Sequence, residues 1–319
     1  MRYGAVGLLV AVAVVGCGKI KNLVGGGGSA PTEFKESTLA EARKGFTTKL
    51  PAPGAADRSP PDVPPRGVFN LVRYESPAGK PAAYVTPDPT DGAMHPAVVW
   101  VTGGDCNSIG DVWSRSQPKN DQTAAQYREA GVVLMVPSLR GGNDNPGRRE
   151  FYYGELDDVV AAAAYLRTLP YVDPARVYLG GHSTGGTVAL LAAEYSDTFR
   201  AVFAFGPVDV PTGYPAEFAG FNKSDAKEVE IRSPGKWLAS IKSPTFVIEG
   251  ARQGNADCVE RMKAGSTNAR VSFLVVSGAD HFSVLAPLNR LLAQKIVADT
   301  GPACAITLTA DEADRAGGR

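Results

Sequence analysis

Residues 177–190 read Val-Tyr-Leu-Gly-Gly-His-Ser-Thr-Gly-Gly-Thr-Val-Ala-Leu: an apolar, β-branched run, a glycine-framed turn, and then an apolar run of helical character. A strand that passes at once into a helix is the strongest constraint in the chain, because junctions of this kind stand at the carboxyl edge of a parallel sheet. The alternation continues on both sides. Residues 68–75 and 82–86 read as an antiparallel entry pair, and 97–101 (Ala-Val-Val-Trp-Val) as a strand buried on both faces, since it lacks polar alternation. Helices are expected at 121–130, 155–169, 186–195, 257–264 and 287–298, and strands at 132–137, 176–179, 201–205, 245–249 and 271–276. This order predicts an α/β fold with a mostly parallel, doubly wound sheet. The stretch 208–243 breaks the rhythm with scattered aromatics and prolines, and reads as an insertion over the carboxyl edge, either a lid or a packed cover.

Composition narrows the function classes. Lys plus Arg and Asp plus Glu number 33 each, so the formal charge is zero and no field favours nucleic acid or another polyanion. No Cys-x-x-Cys or His-x-x-x-His pair occurs to hold a metal, and no cofactor motif is present. At the N-terminus, Arg2 precedes an apolar run at 5–15 that ends in Val14-Val15-Gly16-Cys17, which resembles a bacterial lipobox. That pattern predicts export, lipidation of Cys17 and membrane anchoring in the cell envelope. Residues 18–65, rich in Gly, Pro and Ala, read as a stalk, 66–302 as the folded domain, and 303–319 as a tail. Beyond Cys17 three cysteines remain, an odd number from which no bridge is drawn.

The glycine-framed turn is Gly181-x-Ser183-x-Gly185, the spacing that presents a serine hydroxyl as a nucleophile on a sharp strand-to-helix turn. Such a hydroxyl needs a base. Only three histidines exist: His95 precedes a strand at the amino edge, and His182 should diverge from its neighbour at so sharp a turn, which leaves His281, in a loop after the last strand. The third member should be a carboxylate lying between Ser and His in chain order; Asp257 is the first choice, with Asp209, Glu249 and Asp280 as competitors. The backbone N–H of Thr184 and one from Gly104 or Asp105, in the Gly-Gly loop after residues 97–101, are the expected oxyanion donors.

Ser138-Leu139-Arg140-Gly141-Gly142, then Gly147, Phe151, Gly154, Asp157 and Asp158, followed by the serine motif, resembles the catalytic domain of prolyl oligopeptidase-type serine peptidases, within the α/β-hydrolase superfamily. The related dienelactone-hydrolase-like esterases share that fold. The resemblance spans residues 95–300 and implies Ser183, Asp257 and His281 as the triad. His182 stands where that family often has an aromatic residue, the loop at 102–104 lacks the expected His-Gly-Gly start, and no propeller-sized stretch precedes the domain. The expected reaction is acyl transfer to Ser183 from short peptides or small acyl esters; the rival is a catalytically silent envelope-binding lipoprotein.

Overall fold

Eight strands form a single sheet in the order β1-β2-β4-β3-β5-β6-β7-β8. The computed structural model describes residues 38–50 and 58–318; Cys17, the apolar leader and residues 18–37 of the expected stalk lie outside them. β1 (Asn70–Arg73) runs antiparallel to β2 (Ala82–Val85), which is antiparallel to β4 (Val133–Pro137). From β4 through β3 (His95–Val101), β5 (Val172–His182), β6 (Val202–Phe205), β7 (Thr245–Arg252) and β8 (Val271–Asp280) every pairing is parallel, as the alternating sequence pattern predicts.

Successive side chains of the central strands enter two cores. Ala97, Val99 and Val101 of β3 pack with α3 (Glu155–Leu166) and α4 (Thr184–Tyr195), whereas Val98 and Trp100 pack with α2 (Ala125–Glu129) and α7 (Leu285–Ala298). Helices cover both faces, so continuous apolar strands are what burial demands. No helix among the described residues is long and apolar enough to cross a membrane.

Two boundaries differ from the sequence reading. Residues 38–50, expected within the stalk, belong to the packed domain. Thr38 caps α1 (Leu39–Arg43) with a capping box, Leu39 is fully buried, Arg43 pairs with Asp157 at 2.8 Å, and the Lys49 N–H donates to Glu228 at 2.6 Å. The expected tail is also structural: Ile306, Leu308 and Ala313 enter the second core, and α8 (Ala310–Gly317) lies against β8. There the Ser277 N–H donates to Asp314 at 2.7 Å, which occupies a donor that the edge strand would otherwise leave open.

The 208–243 insertion holds α5 (Ala226–Glu230) and isolated helical turns. Its fastening is Arg232, wholly buried and ion-paired with Glu228, which donates to the Thr48 hydroxyl at 2.7 Å and to the Phe151 carbonyl at 2.7 Å. The insertion is thus a packed cover, tied both to the 38–50 segment and to the 150–153 loop.

Glu194, on α4, is buried and neither carboxylate oxygen finds a hydrogen-bond partner among the described residues. Burial pushes its carboxyl well above the usual range. The sign follows directly. Above the unfolded-state value near 4.5, the unfolded chain ionises this group while the folded chain must keep it protonated, so its presence lowers stability as pH rises. Glu194→Met is expected to stabilise the domain by about 1–3 kcal/mol at pH 8, with the gain shrinking toward pH 4. Chemical denaturation at the two pH values checks this; an equal gain at both would refute the protonation account.

Candidate active site

Ser183 occupies φ +57°, ψ −116°, a conformation that side-chain-bearing residues rarely adopt and that costs on the order of 1–3 kcal/mol. The turn is held on both sides: the Ser183 N–H donates to the Phe205 carbonyl at 2.7 Å, and its carbonyl accepts from Thr187 N–H at 2.9 Å, starting α4. Its motif glycine explains the spacing. A Cβ on Gly185 would stand 2.3 Å from the Val101 carbonyl oxygen, so only glycine lets α4 cross the end of β3 this closely. The hydroxyl therefore stands at the carboxyl edge of the sheet, at a helix N-terminus, and is only 9% exposed at the residue level.

The expected oxyanion segments meet here. The Thr184 hydroxyl donates to the Gly104 carbonyl at 2.8 Å, tying the loop after β3 to the first turn of α4, and Gly104 takes φ +69°. Asp105 is committed elsewhere through its side chain, which pairs with Arg149 at 2.7 Å and accepts the Asn107 N–H at 3.2 Å. Behind the loop, Asn107 donates to the Arg140 carbonyl at 2.8 Å and to Glu155 at 3.1 Å. Glu155 in turn accepts the N–H groups of Glu150, Phe151 and Tyr153. Burial pushes the Glu155 carboxyl up, against the opposing pull of the Glu150 N–H, the Arg140 charge and the Asn107 amide. Arg140 pairs with the fully buried Asp158 at 2.9 Å. The Ser138–Gly142 and Phe151–Asp158 motifs thus brace the loop after β3; a crevice lies beside it between Asp105, Arg149, Phe151, Tyr152 and Phe218.

His281 comes to the same edge from the end of β8. Its ring lies 4.6 Å, centroid to centroid, from that of His182 and directly over Gly206, where a Cβ would stand 2.5 Å from its Cε1. Gly206 follows Phe205, the residue that accepts the Ser183 N–H, so serine and imidazole border the same few atoms of β6.

The partner of that imidazole corrects the sequence reading. His281 Nδ1 bonds Glu249 Oε2 at 2.8 Å, and Glu249 is fully buried in the carboxyl half of β7. Its carboxylate also accepts the Gly250 N–H at 2.7 Å and the Asn255 N–H at 2.9 Å. Asp257, the first choice, is exposed in the opening turn of α6 (Ala256–Gly265), where a negative charge suits the helix N-terminus, while the Nδ1 position on the ring is taken by Glu249. Asp209 pairs with Arg261 at 2.7 Å, and Asp280 accepts the N–H groups of Phe282 and Ser283. A carboxylate ending an otherwise apolar buried strand, Thr-Phe-Val-Ile-Glu, was the signal for Glu249.

The sequence profile of the prolyl oligopeptidase family matches residues 118–284, which is more than half of the chain. The chain belongs to the prolyl oligopeptidase family. Among curated proteins it is 33% identical over 127 residues to the dual function macrocyclase-peptidase POPB of Galerina marginata, a match that covers 37% of this chain and 16% of that protein. It is 24% identical over 142 residues to the uncharacterized peptidase YtmA of Bacillus subtilis, covering 41% and 55%. The chain therefore spans well under two thirds of these relatives. Of solved structures, a puromycin-hydrolyzing peptidase of Mycobacterium tuberculosis superposes with a TM-score of 0.59 at 21% identity over 73% of this chain and 39% of its own, a likeness of fold.

Proposed function

We propose that this family member is a serine hydrolase that forms an acyl-enzyme on Ser183 and acts as a peptidase on short peptides. The observation that carries the reading is the buried Glu249–His281 pair at the sheet edge where Ser183 is held on its strained turn. A carboxylate at Nδ1 fixes the tautomer that leaves Nε2 free as the base, orients the ring, and stabilises the imidazolium once it forms. Ser183 then attacks the acyl carbon, and the proton taken by His281 passes to the leaving amine as the carbon–nitrogen bond breaks. Water, deprotonated by the same nitrogen, releases the acid and regenerates the serine. The N–H groups of Thr184 and of the Gly104–Asp105 segment are assigned to the oxyanion.

The test is a rate panel of short peptides and simple acyl esters on protein lacking residues 1–17. Peptide turnover supports the peptidase; turnover of esters alone would replace it with a carboxylic ester hydrolase, and inertness to both substrates and fluorophosphonate would leave a silent binding protein. Lipidation of Cys17, with anchoring in a bacterial cell envelope, belongs to the same proposal on the strength of the lipobox-like sequence. Cys17→Ser is expected to move the protein from the membrane to the soluble fraction, and an unchanged distribution would refute it.

A further inference from the structure

β5, which ends at the serine turn, and β8, which leads into the histidine turn, are separated by β6 and β7. Three strand spacings amount to about 14 Å, so nothing in the sheet itself sets how far His281 folds back toward Ser183. That geometry depends on what grips the 281–284 turn. Glu249 grips the imidazole from β7. The second grip comes from the elbow: His182 Nε2 lies 3.0 Å from the main-chain carbonyl oxygen of His281, across 99 residues of sequence. A carbonyl only accepts, so Nε2 carries the hydrogen and donates it, and Nδ1 is the bare nitrogen. His182 is 1% exposed, its Nδ1 has no hydrogen-bond partner among the described residues, and its ring packs edge-on against Phe282 at 5.5 Å. On its other side Nδ1 faces Gly103, where a Cβ would lie only 2.8 Å away. The ring is wedged between the oxyanion loop and the histidine turn, with one directed bond.

We propose that His182 is a positioning residue of the reaction: through its Nε2–H bond to the His281 carbonyl it sets the distance of the His281 ring from Ser183, locking the nucleophile strand to the base. This rests on the hydrolase reading above. Burial first, and then the nearby charge that His281 acquires, hold the His182 ring neutral, consistent with a single donor nitrogen.

Two variants separate donation from packing. Gln can place a side-chain N–H near the position of Nε2, whereas Phe keeps a flat aromatic ring, somewhat larger than imidazole, and loses the donor. His182→Phe is expected to lower kcat by about 10- to 100-fold with KM within about threefold, and to slow fluorophosphonate labelling by the same factor. His182→Gln is expected to recover most of that loss. A packing role predicts the reverse order, so full activity in the Phe variant, or a Gln variant slower than Phe, overturns the proposal. Should either variant misfold, nitrogen NMR of the native protein decides: Nε2 protonated with Nδ1 bare supports it, and the opposite tautomer refutes it. Failure here remains distinct from failure of the hydrolase reading, because native protein that labels at Ser183 supports that reading whatever the His182 variants do.

Discussion

Ser183→Ala is expected to reduce kcat on the order of 10⁴- to 10⁶-fold and to abolish covalent labelling by a fluorophosphonate, with the fold retained. The size of the effect follows from covalent chemistry: without Oγ no acyl-enzyme forms, and what remains is catalysis by the oxyanion donors and bound water. The fold should survive because alanine inherits the same left-handed backbone position and the same N–H bond to Phe205, both fixed by main-chain atoms. The thermal midpoint is expected within about 2 °C of the parent, since the buried Tyr214 hydroxyl, which bonds the Ser183 side chain, keeps the Thr187 hydroxyl at 3.2 Å as a partner. A variant that still labels would show that the nucleophile lies elsewhere. Mass spectrometry of the labelled peptide reads the outcome directly.

Glu249→Gln should cost nearly as much, about 10³- to 10⁴-fold in kcat, for a different reason. All three donors that converge on this carboxylate, His281 Nδ1–H and the N–H groups of Gly250 and Asn255, need acceptors. An amide offers one oxygen and turns its nitrogen toward at least one of those donors. If that nitrogen faces the ring, the imidazole adopts the other tautomer and protonates the nitrogen that should serve as base. The donors left unpaired or opposed also cost about 1–3 kcal/mol of stability. Asp257→Asn, at an exposed helix start, should stay within about twofold of the parent on both counts. Parallel kcat measurements on the two variants decide the acid; activity lost in Asp257→Asn and kept in Glu249→Gln would restore the acid first chosen from sequence spacing.

That contrast marks where local information ends. The elbow is legible because everything that makes it is contiguous: an apolar strand, small residues at 181 and 185 that permit a close crossing, and a helical run that begins at residue 184. His281 was reachable by elimination among three histidines, because strand direction puts His95 at the amino edge and the sharp turn points His182 away from its serine neighbour. The acid was not. Asp257 and Glu249 both follow β6 and precede His281, and chain spacing cannot register that a glutamate buried in β7 reaches the ring while an aspartate on α6 faces solvent.

The same limit governed the boundaries. Leu39 is apolar in a Pro- and Gly-rich neighbourhood, and only its burial against α4 makes residues 38–50 part of the domain. Sequence by itself determined the layered α/β architecture and the sharp turn that carries Ser183, since periodicity and turn sterics act over a few residues. Tertiary structure alone decided which carboxylate faces the imidazole, what braces the loop after β3, and which terminal segments are packed, because those depend on distances between strands that the chain brings together only after folding.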